Sequence, residues 1–208
     1  MAMKKTGSFV SRVTIAHVLV LIIAILAISN IYFGLTYRQE HIDRINALGL
    51  VLMQARGPLN ESIHIMNRTI ERRQIDVELW DVMLRDLIEH SRFYPVIACL
   101  DGNHRSQWTL IQNGIDGVIR VTTDLIQTYN RMGISILNLT DEDLIPVASV
   151  RDNLVLIEMN AFPNGIIIGS DPKVVISDDS IMKAVDAAYR LQTQFNKLEE
   201  IIPDWSHS

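Results

Sequence analysis

The chain has 208 residues, 48% of them hydrophobic, with 24 acidic and 19 basic side chains and a net charge of −5. An acidic chain without a basic stripe argues against a nucleic-acid partner. The single cysteine, Cys99, excludes an intrachain disulfide framework, so packing alone must hold the fold.

The first element sets the location. From Val13 to Tyr37 there is no Asp, Glu, Lys or Arg. As a helix, residues 13–35 rise roughly 35 Å, enough to cross a hydrocarbon core of about 30 Å with some tilt. A helix also satisfies its own backbone polar groups in lipid. A secretory signal has a shorter apolar core, about 7 to 15 residues, ahead of a small-residue cleavage site. Here the best small-residue site, Ala27-Ile28-Ser29, lies inside the apolar run, and helical periodicity continues past Tyr37. The segment therefore reads as an uncleaved signal-anchor. Lys4, Lys5 and Arg12 precede it, whereas Arg38 and Arg44 follow it beside Glu40 and Asp43, and acids carry little weight in the positive-inside rule. The expected layout is a cytoplasmic tail (1–12), a transmembrane helix (13–35), an extracytoplasmic domain (38–203) and a C-terminal tail (204–208) at the cell membrane. Residues 38–208 carry a net charge of −8.

The span itself carries an association pattern. Ala27, Asn30 and Gly34 fall on one side at steps of three and four, and the stripe continues through Ile42 and Ile45. An amide in lipid gains about 0.6 to 2 kcal/mol by bonding to another helix, which makes Asn30 the centre of a predicted helix–helix seam. His17 lies near the cytoplasmic end of the span, where an interfacial, neutral placement suits it.

Beyond the span, Ile42, Ile45, Leu48, Leu52, Ala55, Leu59, Ile63, Met66 and Ile70 recur with helical spacing. The pattern predicts a long helix ending near Arg73 and bent at Gly57-Pro58, where proline removes a hydrogen bond. Asp76 is the expected cap of a second helix, with Glu78 and Asp81 at its positive dipole end. Its face is Leu79, Val82/Met83, Leu87 and Ile88, carried through Pro95 to Leu100, with Cys99 expected as a buried small hydrophobe. Asp101-Gly102-Asn103 is a turn signal.

Trp108, Ile111, Ile115, Val118, Thr122, Leu125, Tyr129 and Met132 then form a strict a/d stripe over four heptads. Gly114 and Gly117 interrupt it, either as weak points or as places where another helix comes close. Gly133 ends this helix. Thr140 to Asp143 forms a capping box with Asp in place of Glu, followed by an inward face of Val147, Val150, Leu154, Ile157 and Ala161. Phe162-Pro163-Asn164-Gly165 stops it. Residues 166–176, two β-branched runs around Gly169-Ser170-Asp171-Pro172, read as a small β-hairpin or as a buried irregular connection. Ser177 to Asp179 caps a last helix with Ile181, Val185, Ala188, Leu191, Phe195, Leu198 and Ile202 inward, and Pro203 terminates it. The expected fold is all-α: a single transmembrane helix followed by an up-and-down bundle of four to five helices.

Chemistry-bearing motifs are sparse. There is no phosphate-binding glycine loop, zinc-protease helix or nucleophile elbow, so no catalytic residue, metal or cofactor is assigned and the chain is not read as an enzyme. Asp86 and His90 lie one helical turn apart with His104 following, a metal-ligand spacing that helix polar residues also produce by chance. Arg68, Arg72 and Arg73 form the densest arginine cluster, suited to a carboxylate or phosphate ligand. Its alternative is a solvated face paired with Glu71, Asp76 or Glu78. Asn60, Asn67 and Asn138 each begin a glycosylation acceptor sequence.

These features favour a membrane-anchored accessory or structural subunit, bound to the lipid bilayer and docking with other membrane subunits or with itself. A second reading is a sensory module. The layout resembles the extracytoplasmic half of bacterial four-helix sensors, in which a long helix emerges from the first span. With no second span or cytoplasmic signalling domain in the sequence, such a module would act with a partner. A pilin-like filament subunit fits poorly, because Ser8, Ser11 and Arg12 follow Lys4-Lys5-Thr6-Gly7.

Overall fold

The computed structural model describes residues 6–199 and 201, and these are all-helical in class, with 82% of the described residues in helices. It divides into two compact units, Met1–Arg44 and Ile45–Ser208. Lys4, Lys5, Ile202, Pro203 and the 204–208 tail lie outside the described residues, as do the side chains of Arg12 and Phe195.

Helix α1, Thr6–Arg72, contributes to both units. In the first unit, Leu19 through Leu26, Ile28, Ile31 and Phe33 are all exposed. Its most apolar eighteen-residue window has a mean hydropathy of 2.6 and none of it is buried. By length and composition this is a helix able to cross a membrane.

The second unit begins within α1 and continues with β1 (Gln74–Asp76), α2 (Val77–Ser91), α3 (Tyr94–Leu100), a single 3-10 turn (Gly102–His104), α4 (Arg105–Met132), β2 (Ile136–Asn138), α5 (Asp141–Ala161) and α6 (Asp178–Glu199). Contacts between named residues give the helix directions. Ala55 meets His90 and Thr69 meets Trp80, so α1 and α2 are antiparallel. Asn67 meets Arg151 and Arg56 meets Glu158, so α1 and α5 are antiparallel as well. Gly114 faces Ala188 and Tyr129 reaches Ile201, so α4 and α6 run parallel. With α2 against α4 and α5 against α6, the packing order α1–α2–α4–α6–α5 returns to α1.

The core lies inside this ring. Leu52, Ala55 and Leu59 from α1, Met83 and Leu87 from α2, Trp108 to Tyr129 along α4, Val147 to Ile157 from α5 and Leu191 from α6 are essentially inaccessible. The α4 stripe is buried at every position except Met132, which is half-buried. Gly114 explains how close α4 and α6 come: a Cβ there would lie 2.8 Å from the Ala188 Cβ and 2.9 Å from its carbonyl oxygen. Local capping matches the sequence pattern. The Asp76 carboxylate accepts from the Glu78 and Leu79 amides, Thr140 and Asp143 cap each other reciprocally, and Gly133 closes α4 with φ 67°.

The one long helix expected through Pro58 to near Arg73 is present as α1, with Pro58 between the buried Ala55 and Leu59 and Ser62 donating to the Pro58 carbonyl at 2.9 Å. Several other expectations are corrected. The second helix does not run to Leu100. It closes at Ser91, and Pro95 takes its favoured place in the first turn of the separate α3. Cys99 is exposed, because Tyr94, Ile97 and Ala98 form the inward face of that short helix. Residues 166–176 form the hairpin only in its smallest extent and are not a buried connection. They make one antiparallel bridge, Ile167 with Lys173, and are half-buried to exposed. A two-stranded ribbon does form elsewhere, with Gln74, Ile75 and Asp76 opposite Asn138, Leu137 and Ile136.

Candidate functional site

Three polar assemblies tie the second unit together. The first is His90, on α2, with no accessible surface. Its Nδ1 lies 2.7 Å from the Ala55 carbonyl and its Nε2 2.8 Å from the Tyr94 hydroxyl. A carbonyl only accepts, so Nδ1 carries the hydrogen and Nε2 accepts from Tyr94. The ring packs beside Tyr94 and Phe162, at centroid distances of 5.0 and 5.3 Å, and Trp108 closes the same cluster. Burial lowers the His90 pKa to about 4, although the Ala55 hydrogen bond opposes the shift, so the ring is neutral at pH 7.

The second assembly joins the start of α4 to the start of α6. His104 Nδ1 lies 2.9 Å from Asp101 Oδ2, and its Nε2 lies 2.8 Å from Asp178 Oδ1. Trp108 Nε1 donates to the same Asp101 oxygen at 2.8 Å. With a carboxylate on each side, the ring is built to donate from both nitrogens as an imidazolium. Burial alone would lower its pKa, but the hydrogen bonds and charges of Asp178 and Asp101 outweigh burial and raise it.

The third assembly is Arg56 on α1, which pairs with the buried Glu158 on α5 and donates to Asn164 beyond it. Removing one partner of such a pair leaves an uncompensated charge, so the contact ties α1 to α5.

None of these places a nucleophile beside a base, and among the described residues no group of three or more His, Cys, Asp or Glu could hold a metal ion. The Asp86, His90 and His104 spacing is not brought together: both His90 nitrogens and both His104 nitrogens are bonded within the protein. Asp86 is half-buried, and burial, with Glu61 and Glu89 nearby, raises its pKa despite Arg85.

Arg68, Arg72 and Arg73 are exposed. Arg73 adopts φ 54°, which turns it away from the helix, and it pairs with Asp141 rather than with the acids expected from the sequence. Two of the three acceptor sequences use their hydroxyls for packing: Ser62 is fully buried, and Thr69 accepts from Trp80 Nε1 at 2.9 Å. Ala27, Asn30 and Gly34 are exposed in the first unit, and a Cβ on Gly34 would meet nothing within 4 Å; Ile42 and Ile45 are half-buried.

One feature of the second unit leaves no mark in the sequence. A groove of about 470 Å³ lies between α2, α3 and α4, lined by Ile88, Arg92, Pro95 and Ile119, with the Ser91 hydroxyl donating to Asp116 at its wall. It joins residues from three successive helices, so no motif within one helix signals it. The fold and these sites define an all-helical protein with one N-terminal helix of membrane-crossing length. No protein-family model matches the chain, and no curated protein or solved structure is significantly similar to it.

Proposed function

We propose that this chain is a membrane-anchored accessory subunit, held by residues 13–35 with its N-terminus in the cytoplasm and its helical bundle outside. It docks with other membrane subunits, or with a second copy, through the span and the helix that follows. The observation that supports this most is the contrast between the two units. The second closes a continuous core, whereas the first exposes an apolar stretch free of charge from Val13 to Tyr37, with Asn30 and Gly34 on one side. An exposed apolar surface of that size needs lipid or another protein to cover it. The polar assemblies connect helices to one another, which suits a structural role better than a catalytic one.

The test is purification from native membranes in mild detergent. A stable stoichiometric partner, or a defined homo-oligomer, supports the subunit. Protease added to spheroplasts should then remove the bundle and spare the N-terminus. A chain released by alkaline washing would refute the anchor. The groove between α2, α3 and α4 supports a second reading, a ligand-sensing module, for which a small molecule should co-purify with the chain.

A further inference from the structure

The groove between α2, α3 and α4 carries charges of both signs beside an apolar surface. Ile88, Pro95 and Ile119 supply the apolar part, and the two isoleucines are half-buried. Asp116, on α4, is exposed, yet its Oδ1 accepts at 2.5 Å from the hydroxyl of the buried Ser91 on α2. That bond fixes where the negative charge stands. A carboxylate offers about four lone-pair sites, so one hydrogen bond leaves it able to accept others. Arg92 follows Ser91 as the C-cap of α2, with its backbone N–H spent on the helix carbonyls. Its exposed side chain lines the same groove as Asp116, and the two do not pair with each other. Gln112, half-buried one turn before Asp116, adds an amide that both donates and accepts.

We propose that this groove binds a small zwitterion with an apolar side chain, either a free amino acid or a dipeptide. Its ammonium sits on Asp116, its carboxylate takes the Arg92 guanidinium, and its side chain lies on Ile88, Pro95 and Ile119. The inference rests on the ligand-sensing reading of the groove and needs nothing from the membrane span. Charge complementarity carries it. A simple anion would meet the fixed Asp116 carboxylate, and a simple cation would leave Arg92 without a partner. A neutral apolar molecule would cover both charges and pair neither, which is costly. A ligand with both signs satisfies both walls. The planar guanidinium fork matches a carboxylate, and an ammonium has three hydrogens for the Asp116 carboxylate and the Gln112 carbonyl. The volume, about 470 Å³, is that of a small-molecule site.

The test uses the full chain in mild detergent, with L-leucine and L-leucyl-L-leucine as probes in titration calorimetry. Leucinamide, which lacks the carboxylate, and isocaproate, which lacks the ammonium, are the controls. At least one zwitterion should bind saturably, and which of the two does so tells an amino-acid site from a dipeptide site. Each control should bind at least about tenfold more weakly, as expected when one hydrogen-bonded charge is removed. Isoleucine-methyl NMR should then show shifts at Ile88 and Ile119 but not at Ile181 in the core of α6. Arg92→Gln and Asp116→Asn should each weaken binding by about tenfold or more. Both positions are exposed, and the asparagine still accepts from Ser91, so neither change disturbs the packing. Binding that these variants leave unchanged, or a control as tight as the zwitterions, overturns the proposal. So does no binding of either zwitterion at millimolar concentration. If another small molecule co-purifies in that case, this inference fails while the ligand-sensing reading stands; if none does, both fail.

Discussion

Acid should weaken the bundle through His90. In the folded chain this ring is fully buried and neutral, with a pKa of about 4 against 6.5 for an ordinary histidine. Between those values the unfolded chain binds a proton that the folded chain refuses, so stability is full above the unfolded value and falls as pH drops toward the folded one. Working from the two pKa values, the loss from pH 7 to pH 5 is about 2 kcal/mol. His104 acts in the opposite sense. Its pKa is raised by Asp178 and Asp101, so its contribution is complete below the unfolded value and is lost as pH rises through the folded one. The two effects oppose each other in the unmodified chain, and the measurement must separate them. His90→Gln keeps a donor for Ala55 and an acceptor for Tyr94 but removes the titration. Urea unfolding in mild detergent, followed by the fluorescence of the buried Trp80 and Trp108, gives stability at both pH values for each chain. The unmodified chain should lose about 2 kcal/mol more than His90→Gln between pH 7 and pH 5. Equal losses would show that His90 is not held neutral, and the account of the aromatic cluster would be wrong.

Packing makes two further predictions. Gly114→Ala gains helix propensity worth about 1 kcal/mol but drives a methyl into the Ala188 backbone, so net destabilisation of up to about 2 kcal/mol is expected from thermal unfolding; a stabilised variant would show that α4 and α6 are not in close contact there. Leu125→Ala should cost about 2 to 5 kcal/mol in the same measurement, and a variant melting like the unmodified chain would remove Leu125 from the core.

How much of the fold is legible in the sequence depends on the range of each interaction. Period and caps are local, and so the α4 stripe, the Asp76 cap, the Thr140–Asp143 box and the Gly133 stop can all be read from the order of residues alone. Helical period also carries one long helix through Pro58 to Arg72, as the apolar spacing from Ile42 to Ile70 implies. Cys99 misleads because its apolar run suggests complete burial, when a seven-residue helix can hide only one side. The ribbon of β1 with β2 joins two three-residue strands about sixty positions apart, too short to carry a period. The polar assemblies share that limit. Arg56 finds Glu158, and His104 finds Asp178, across most of the domain. His104 with Asp101 and Trp108 does carry a local trace, a spacing of three and then four, but it reads equally as a turn followed by a core stripe.

Whether the chain docks through its span and the helix beyond is tested most directly by crosslinking in native membranes. Single cysteines at positions 30, 34, 41, 45 and 48, in a chain with Cys99 replaced by serine, are oxidised or treated with a short bifunctional reagent. Positions 30, 34 and 45 lie on the predicted seam, 41 is exposed beside it, and 48 is buried in the bundle core and serves as the control. Crosslinks, to a second copy or to one other chain, should rise and fall with helical period and be strongest at 30 and 34. Uniform absence of crosslinks at all five positions would contradict the subunit assignment.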